Sequence, residues 1–512
     1  MSFLRKHLKT TAPYVIIIRN KFERNRRVKI KFNSPGKTIA EALADAGLIT
    51  PELPCGGNGL CGKCRVPAKG ALEPPGESER KLLADAAPAD GYSIRLACLA
   101  VMSGEAEIIV DIPEIRAGRP APDKLSEKPE ILAALDIGTT NIEAEFFDMS
   151  GTRLSGAVIP NPQRSFGADV ISRIGADAEH HAELVSELRR AIAELFSSSA
   201  GKVVRAVAVG NTTMLHFFAD RNVSGMGAYP FTPETLFGEE ITIPEIPDCV
   251  FYLPGCVSAF VGADVVCSLL EAAPEKDERI IIADLGTNGE IMLYNKGRIL
   301  CASTAAGPAL EGAEISCGMR AVDGAVENVT WNGKNFVCHV IGGGEARGIC
   351  GSGLISAAAA MLDAGVMDTS GYIESPVTLA PGVTLTEEDI RALQLAKSAI
   401  RAGIDTLEKH CPGKTTRVCL AGGFGSGIDI GLCERIGLLP EYDDARYDIL
   451  GNASLKGAAR ILTGGTEKYD ALVKNAELVP LAEDPVFTES YIENMLFPEK
   501  NTDRKETIKC QQ

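Results

Sequence analysis

The sequence predicts an α+β domain followed by a two-lobed α/β core, and three features of the chain support this division. Residues 14–112 contain short stretches rich in β-branched residues and a glycine-rich loop in which cysteines cluster. Residues 113–130 are proline-rich and polar, which is typical of a linker. Beyond them a strand–turn–strand unit occurs twice, which predicts two similar lobes at 131–280 and 281–512. Residues 1–13 are predicted to be an N-terminal extension.

The elements of the first domain follow from local patterns. VIIIRN and RRVKIKF predict a hairpin because they are rich in β-branched residues, and AEIIVDIP predicts a further strand. Between them SPGKTIAEALADAGL predicts a short helix with Ile39, Leu43 and Ala46 on one side.

The most specific motif is a set of four cysteines. Three follow the pattern C-x5-C-x2-C in PCGGNGLCGKC and one follows in IRLACLA; they are Cys55, Cys61, Cys64 and Cys98. Three thiolates on one glycine-rich loop with a distant fourth are typical of a [2Fe–2S] cluster, whose sulfurs accept hydrogen bonds from the turning backbone. Tetrahedral zinc is the alternative, although zinc sites usually pair two short cysteine knuckles. The x5 gap resembles that of adrenodoxin-like ferredoxins, which implies a ferredoxin-like (β-grasp) domain and one-electron transfer.

Composition and charge limit the class of protein. The chain has 512 residues, 45% apolar and 23% charged, which indicates a globular protein of several domains. A net charge of −16 argues against nucleic-acid binding. We expect a cytoplasmic protein without a membrane span, because no apolar run reaches about 18 residues and 15 cysteines occur without a secretion signal. Residues 1–32 hold ten Lys and Arg, which would either dock an acidic electron donor or form a solvated face.

Two similar turns, Asp136–Asn141 and Asp284–Glu290, predict phosphate binding. In each turn a glycine allows close approach of the backbone, hydroxyl and N–H groups can donate to phosphate oxygens, and the aspartate at the strand end can hold Mg²⁺ directly or through water. We call them phosphate loop one and phosphate loop two. Their predicted nucleotide-binding residues are Gly138, Thr139, Thr140, Asn141, Gly286, Thr287 and Asn288, and their predicted catalytic residues are Asp136, Asp284 and Glu290.

A third glycine-rich loop follows the apolar strand RVCLA and suits a backbone lying against adenosine; its predicted binding residues are Gly422, Gly423, Phe424 and Gly425. The order of the three loops over residues 131 to about 465 resembles the acetate kinase/sugar kinase/Hsp70/actin superfamily. This resemblance implies a two-lobed actin/Hsp70-like (ribonuclease H-like) ATPase core. It also implies that Phe260–Asp264 and 348–354, which includes Gly351 and Ser352, are interdomain connecting segments.

One helix of the core is strongly marked. Residues 386–410 carry an apolar stripe, and Thr386 with Asp389 forms a loose capping box at its start. Four polar residues share another face: Gln394, Lys397, Ser398 and Arg401. Similar polar faces contact adenine in the chaperone relatives, so this face would either bind the nucleotide or be solvated.

The combination of domains resembles the reductive activators of corrinoid-dependent methyltransferases, also called activating enzymes of O-demethylases. Further matching motifs are VGNTTMLH (209–216), AAGPALEG (305–312), ISCGMR (315–320) and the tail ESYIENMLFP. The resemblance implies ATP-dependent, one-electron reduction of an inactive cob(II) corrinoid protein to cob(I), and it is compatible with a homodimer. Ser316, in the loop 304–320, is a candidate for approaching cobalt or for supporting ATP. Some members carry an extra middle domain, whereas here we expect only a short linker.

Three other functions stay open from the sequence. The first is activation of a radical dehydratase or of an aryl-CoA reductase, although those relatives hold a [4Fe–4S] cluster between two subunits. The second is a non-enzymatic module that senses redox state and binds ATP. The third is a small-molecule kinase, although no sugar pocket or substrate-activating base is evident in the sequence.

Overall fold

The computed structural model describes residues 16–18, 27–45, 59, 62, 64–83, 91–111, 128–167, 169–286, 288–422 and 428–499. Several predictions lie outside these residues: the N-terminal extension, nearly all of the linker, and the site residues Cys55, Cys61, Thr287, Gly423, Phe424 and Gly425. The chain forms two compact units. One comprises residues 1–122, 139–141 and 158–192, and the other comprises residues 123–138, 142–157 and 193–512.

The N-terminal domain is the predicted α+β fold. In the described part of this domain, five strands form one sheet in the order β1-β2-β5-β3-β4, accompanied by two helices. The elements are β1 (Ile16–Ile18), β2 (Arg27–Asn33), α1 (Ile39–Asp45), β3 (Arg65–Leu72), α2 (Glu77–Leu82), β4 (Ser93–Leu96) and β5 (Met102–Asp111). Helix α1 begins at a reciprocal cap, in which Thr38 Oγ1 accepts from Glu41 N and Glu41 Oε2 accepts from Thr38 N. Its predicted apolar residues Ile39 and Leu43 are buried in the core of this domain.

A six-stranded sheet forms the first part of the core, in the order β10-β11-β9-β6-β7-β8. Its strands are β6 (Glu130–Ile137), β7 (Asn141–Phe147), β8 (Arg153–Pro160), β9 (Lys202–Gly210), β10 (Glu239–Ile243) and β11 (Ile246–Leu253). Strands β6 and β7 pair antiparallel around phosphate loop one, whereas β9 pairs parallel with β6 and with β11. The helices of this part are α3 (Val170–Ser197), α4 (Thr212–Ala219) and α5 (Ala263–Ala272).

The second six-stranded sheet repeats this arrangement, in the order β21-β20-β12-β13-β14-β22. Its strands are β12 (Arg279–Leu285), β13 (Gly289–Asn295), β14 (Arg298–Thr304), β20 (Arg417–Ala421), β21 (Arg446–Gly451) and β22 (Ala476–Leu478). Strands β12 and β13 pair antiparallel around phosphate loop two, and β20 pairs parallel with β12 and with β21. The internal repeat predicted from the two turns is therefore present in five strands of each sheet. The sixth strand differs, because β10 pairs antiparallel with β11 in the first sheet and β22 pairs parallel with β14 in the second.

Smaller elements complete the core. A three-stranded sheet contains β15 (Ala325–Trp331), β16 (Phe336–Val340) and β17 (Gly348–Ile349), and a hairpin contains β18 (Val377–Ala380) and β19 (Val383–Leu385). The remaining helices are α6 (Gly351–Ala364), α7 (Glu387–His410), α8 (Ile430–Arg435), α9 (Ala453–Gly464), α10 (Glu467–Asn475) and α11 (Pro485–Glu493). Helix α7 confirms the marked helix of the sequence, with Thr386 as its cap and a full capping box to Asp389. In the part of the chain that the structure describes, no helix is long and apolar enough to cross a membrane.

Candidate functional site

Two of the four predicted cluster cysteines lie side by side. Cys64 immediately precedes β3 and Cys98 follows β4, and because β3 and β4 pair with Arg65 opposite Leu96, the two cysteines meet at one end of the sheet. Their Sγ atoms are 3.2 Å apart, and the Ala97 N–H donates to the Cys64 carbonyl. The hydrogen bond with Cys98 is the main reason that the pKa of the Cys64 thiol falls to about 6. A thiol with that pKa is largely thiolate at neutral pH, which is the form that binds iron.

Arg65 joins Gly62, in the described part of the cysteine loop, to the end of α2. Arg65 Nε donates to the Gly62 carbonyl at 3.0 Å and its Nη2 donates to the Leu82 carbonyl at 2.8 Å. Gly62 has a positive φ of +64°, and Gly59, at +67°, lies so close to Leu99 that a β-carbon there would come within 2.8 Å of its methyl groups. These two positions require glycine, as the motif predicts. Cys64 on this loop, with Cys98 beside it, fits an iron–sulfur cluster.

A buried ion pair supports the same end of the domain. Glu79 accepts two hydrogen bonds from the Arg95 guanidinium, at 2.8 and 3.0 Å, and a third from Leu96 N at 2.9 Å. Both side chains are almost fully buried. Arg95 lies three residues before Cys98, so this pair fixes the strand that presents the fourth cysteine. The sequence does not reveal this pair, because Glu79 and Arg95 are far apart in the chain.

In the core, four carboxylates converge. Asp136 and Asp284 are the penultimate residues of β6 and β12. Glu290 lies opposite Asp284 in the β12–β13 hairpin, and Asp264 lies in the first turn of α5. Asn452, the N-cap of α9, donates to Asp136 Oδ2 at 3.0 Å. All four acidic residues are half-buried. Three of the four are predicted from the phosphate loops; Asp264 and Asn452 are not predicted as site residues.

Burial raises the pKa of each carboxyl, and the charge of Asp264 raises the pKa of the other three further. Burial is the largest cause for all four, and the charge of Asp264 is the second cause for Asp136, Asp284 and Glu290. The pKa of Asp264 rises to about 6 and that of Asp284 to about 7, while the pKa values of Asp136 and Glu290 lie well above their usual range. Such a group of acids is stabilised when a cation neutralises it.

Carboxylate oxygens are among the ligands that Mg²⁺ takes in proteins. Within the described ranges, no three His, Cys, Asp or Glu side chains form a ready-made metal cage. Mg²⁺ does not need one, since it usually keeps several waters and takes one or two carboxylates together with phosphate oxygens. Asp136 and Asp284 occupy equivalent positions at the ends of β6 and β12, as the repeat predicts.

Glycines bring the backbone against this cluster. A β-carbon on Gly422, which has a φ of +90°, would come within 2.5 Å of Asp284 Oδ1. A β-carbon on Gly262 would come within 2.8 Å of Asp264 Oδ1. Gly286 is less restricted, because its nearest neighbours would be 3.6 Å away. Gly422 therefore brings the backbone close to the Asp284 carboxylate, and contact of its loop with adenosine stays a prediction.

Phosphate loop one is held through its backbone. The Thr139 carbonyl accepts from Arg173, and the Thr140 carbonyl accepts from the N–H of Asn161 at 2.9 Å. The predicted connecting segment at 348–354 enters α6, so that Gly351 and Ser352 lie at a helix N-terminus; Ser352 Oγ is 3.3 Å from Cys350 Sγ.

Ser316, a predicted site residue, contacts the chain itself. Ser316 does not present a free hydroxyl, because its N and Oγ both lie 2.6 Å from the carboxylate of Asp389 and donate to it. Ser316 thus tethers its loop to the start of α7. Its side chain is committed to that carboxylate, which argues against the role at cobalt.

Gln394 and Lys397, on the polar face of α7, are buried. Lys397 is fully buried and its Nζ donates to the carbonyls of Asn494 and Leu496. Gln394 Nε2 donates to the carbonyls of Ser370 and Met495, at 2.9 and 2.6 Å. Arg401 pairs with Asp405 at 2.8 Å and donates to the Leu439 carbonyl. The residues after α11 cover this part of the face, so Gln394 and Lys397 contact backbone carbonyls of this chain, and their contact with adenine stays a prediction.

The chain is similar to known proteins. Over 426 residues the chain is 32% identical to the corrinoid activation enzyme RamQ of Eubacterium limosum, covering 73% of this chain and 72% of that protein. The chain belongs to the family of reductive activators of corrinoid proteins. It is also 27% identical over 400 residues to a [Co(II) methylated amine-specific corrinoid protein] reductase of Methanosarcina barkeri, covering 68% and 72% of the two chains.

A solved structure of this family supports the fold. It is a reductive activator for corrinoid, iron–sulfur protein, 26% identical, with a TM-score of 0.63 over 91% of this chain and 96% of that chain. Within the activator, residues 22–103 match the 2Fe-2S iron-sulfur cluster binding domain, and residues 278–509 match the C-terminal domain of RACo, the ASKHA domain. Both parts of the predicted fold class are thereby confirmed.

The stretch after the predicted linker matches a family model of its own. Residues 132–276 match the RACo middle region. The sequence predicts only a linker between the first domain and the ATPase core, and it assigns this stretch to the first lobe. The family's middle region is therefore present, and it carries Asp136 and Asp264.

Proposed function

We propose that this chain is an ATP-hydrolysing reductase that transfers one electron to a corrinoid protein of a methyltransferase system and converts cob(II) to cob(I). The electron comes from a low-potential donor, and MgATP is hydrolysed to ADP and phosphate. One observation carries the proposal: a single chain combines a pair of adjacent cysteine thiols, one of them with a lowered pKa, with a carboxylate cluster at two phosphate loops. The names of the relatives support a corrinoid protein as the acceptor.

The N-terminal domain handles the electron. A [2Fe–2S] cluster held by Cys55, Cys61, Cys64 and Cys98 would supply one-electron chemistry at low potential. The lowered pKa of Cys64 favours the thiolate, Arg65 holds the loop, and the Glu79–Arg95 pair fixes the approach to Cys98.

The core handles the nucleotide. Asp136 and Asp284, at equivalent strand ends, would hold Mg²⁺ directly or through water, and Glu290 would orient or activate the attacking water. Charge repulsion inside the cluster disfavours the state without a cation. Binding of Mg²⁺ with the nucleotide relieves that repulsion, which is one source of the binding energy.

ATP is required because the electron moves uphill. Plant-type [2Fe–2S] centres lie near about −400 mV, and each 100 mV uphill costs about 2.3 kcal/mol per electron. Couplings between two sites are commonly about 1–3 kcal/mol. A nucleotide-dependent change in the core is therefore large enough to close a gap of about 100 mV between the reduction potentials of the cluster and the corrinoid.

ATPase activity tests this proposal. We expect hydrolysis to rise when the corrinoid protein is added in its cob(II) state and to rise less with the cob(I) or methylated state. The matched control is Cys98→Ser, which should bind MgATP normally but support no corrinoid reduction. ATPase activity that no corrinoid protein changes would contradict the proposal and would favour a non-enzymatic ATP-binding module.

A further inference from the structure

A buried arginine lies behind phosphate loop one. Arg173, in the first turn of α3, has no exposed surface. Its Nε donates to the Gly167 carbonyl at 3.0 Å, its Nη1 donates to Gln163 Oε1 at 3.4 Å, and its Nη2 donates to the Thr139 carbonyl. The guanidinium thus joins the beginning of α3 to the centre of the phosphate loop.

A second contact holds the next peptide of the loop. The N–H of Asn161 donates to the Thr140 carbonyl at 2.9 Å, and Asn161 Oδ1 accepts from Gln163 N at 2.9 Å. Gln163 Nε2 in turn donates to the Leu184 carbonyl at 2.9 Å. Asn161, Gln163 and Arg173 are all fully buried. The network is therefore internal, and it contacts the loop at the carbonyls of Thr139 and Thr140.

These contacts set the direction of the loop's N–H groups. In a trans peptide the C=O and the N–H of one unit point in opposite directions. With the Thr139 carbonyl directed at Arg173, the N–H of Thr140 is directed away from it. With the Thr140 carbonyl directed at Asn161, the N–H of Asn141 is directed away from Asn161. N–H groups presented in this way are what a phosphate-binding turn uses.

The positive charge of Arg173 also strengthens the loop's N–H groups as hydrogen-bond donors. Burial lowers its pKa to about 9, so the side chain remains a cation at neutral pH. A positive charge behind the loop, delivered through a carbonyl, polarises the peptide and strengthens its N–H as a donor. Lysine has no planar fork and cannot hold three acceptors in this geometry.

We propose that Arg173 is a positioning residue for nucleotide binding, which fixes phosphate loop one so that the Thr140 and Asn141 N–H groups face the phosphates. This inference rests on the proposed function, since it assumes that the loop binds MgATP. The inference gives the start of α3 a role that the amino-acid sequence does not reveal, because Arg173 is 34 residues from Thr139.

The test compares three variants of the full chain with the unaltered protein. Arg173→Met removes the fork and keeps the bulk, Arg173→Lys keeps the charge, and Arg189→Met removes another buried arginine about four turns further along α3. For each, the Kd for MgATP and the KM and kcat of ATP hydrolysis are measured, together with Tm and the visible spectrum of the N-terminal domain.

We expect at least a tenfold increase in Kd and KM for MgATP in Arg173→Met, a smaller increase in Arg173→Lys, and no change in Arg189→Met. A lowered Tm with unchanged Kd and KM in both Arg173 variants would overturn the inference, since it would mean a merely structural role. If Arg173→Met does not fold, Arg173→Lys decides between these outcomes in the same way. If the unaltered protein itself binds no MgATP, the proposed function fails, and this inference fails with it.

Discussion

Gly422 lies directly beside Asp284, so closely that a β-carbon at Gly422 would come within 2.5 Å of the carboxylate oxygen Oδ1. The backbone there also has a φ of +90°, which side chains rarely adopt. We therefore expect Gly422→Ala to displace Asp284 and to lower the rate of ATP hydrolysis at least about tenfold. Gly464→Ala is the control, because open space surrounds that glycine. Equal activity of the two variants would show that Asp284 has room to move.

The pKa of Asp284 predicts a pH-dependent stability. The folded state holds this proton more tightly than the unfolded chain, in which an aspartate titrates near about 4. Stability is therefore lost as the pH rises from about 4 to about 7 and is constant above that. Asp284→Asn should gain at least about 1 kcal/mol relative to the unaltered protein at pH 8, and little at pH 4. Urea unfolding without Mg²⁺ measures this, and a difference independent of pH would contradict it.

The buried Glu79–Arg95 pair predicts a stability effect in the N-terminal domain. Glu79→Gln should destabilise that domain by about 3–5 kcal/mol, because it leaves the Arg95 charge buried and unpaired. The double variant Glu79→Leu/Arg95→Met should lose much less, since neither charge then remains. Thermal unfolding followed by the visible absorption of the iron–sulfur chromophore measures both. A double variant that is less stable than Glu79→Gln would mean that the charges themselves stabilise the fold.

Replacement of Cys98 tests which metal the cysteines bind. Cys98→Ser should lower the iron content and bleach the visible spectrum, because the side chain that contacts Cys64 at 3.2 Å is lost. Cys338→Ser is the matched control, a half-buried cysteine whose Sγ contacts the Leu379 carbonyl in the core. Iron and zinc analysis of both proteins distinguishes the two metals that the cysteine motif allows. Zinc with no iron in the anaerobically purified protein would contradict the iron–sulfur assignment.

Replacement of Lys397 tests the role of the α7 face. Lys397→Met removes the donor to two carbonyls that follow α11, so we expect faster proteolysis near residue 494 and a loss of about 1–3 kcal/mol of stability. The Kd for MgATP should not change, because the side chain is covered by the chain's own C-terminal segment. A large rise in Kd without a change in proteolysis would support the nucleotide-facing interpretation.

Sequence patterns predict the parts of this molecule that depend on neighbours in the chain. The cap of α7 at Thr386 and Asp389 is local, and so are the two strand–turn–strand units that place Asp136 and Asp284 at equivalent strand ends. Each of these is a short run of residues with a definite periodicity or turn chemistry.

The parts that sequence patterns miss depend on distant segments. Asp264 joins the carboxylate cluster because α5 begins beside two strand ends, and Arg173 reaches Thr139 across 34 residues. Lys397 and Gln394 follow a helical spacing that suits a polar face, yet carbonyls about 100 residues further along the chain cover them. Backbone acceptors have no sequence signature, so a buried polar face and a solvated one are alike in sequence.

The most direct measurement is cob(I) formation. The reduced protein is mixed anaerobically with a cob(II) corrinoid protein of a methyltransferase system, and the visible spectrum is followed with MgATP, with a non-hydrolysable analogue and without nucleotide. We predict growth of the cob(I) band that requires MgATP and is absent in Cys98→Ser and strongly reduced in Gly422→Ala. Unchanged spectra with every corrinoid protein tried, from a protein that contains its iron and binds MgATP, would contradict the reductase assignment and favour a different electron acceptor.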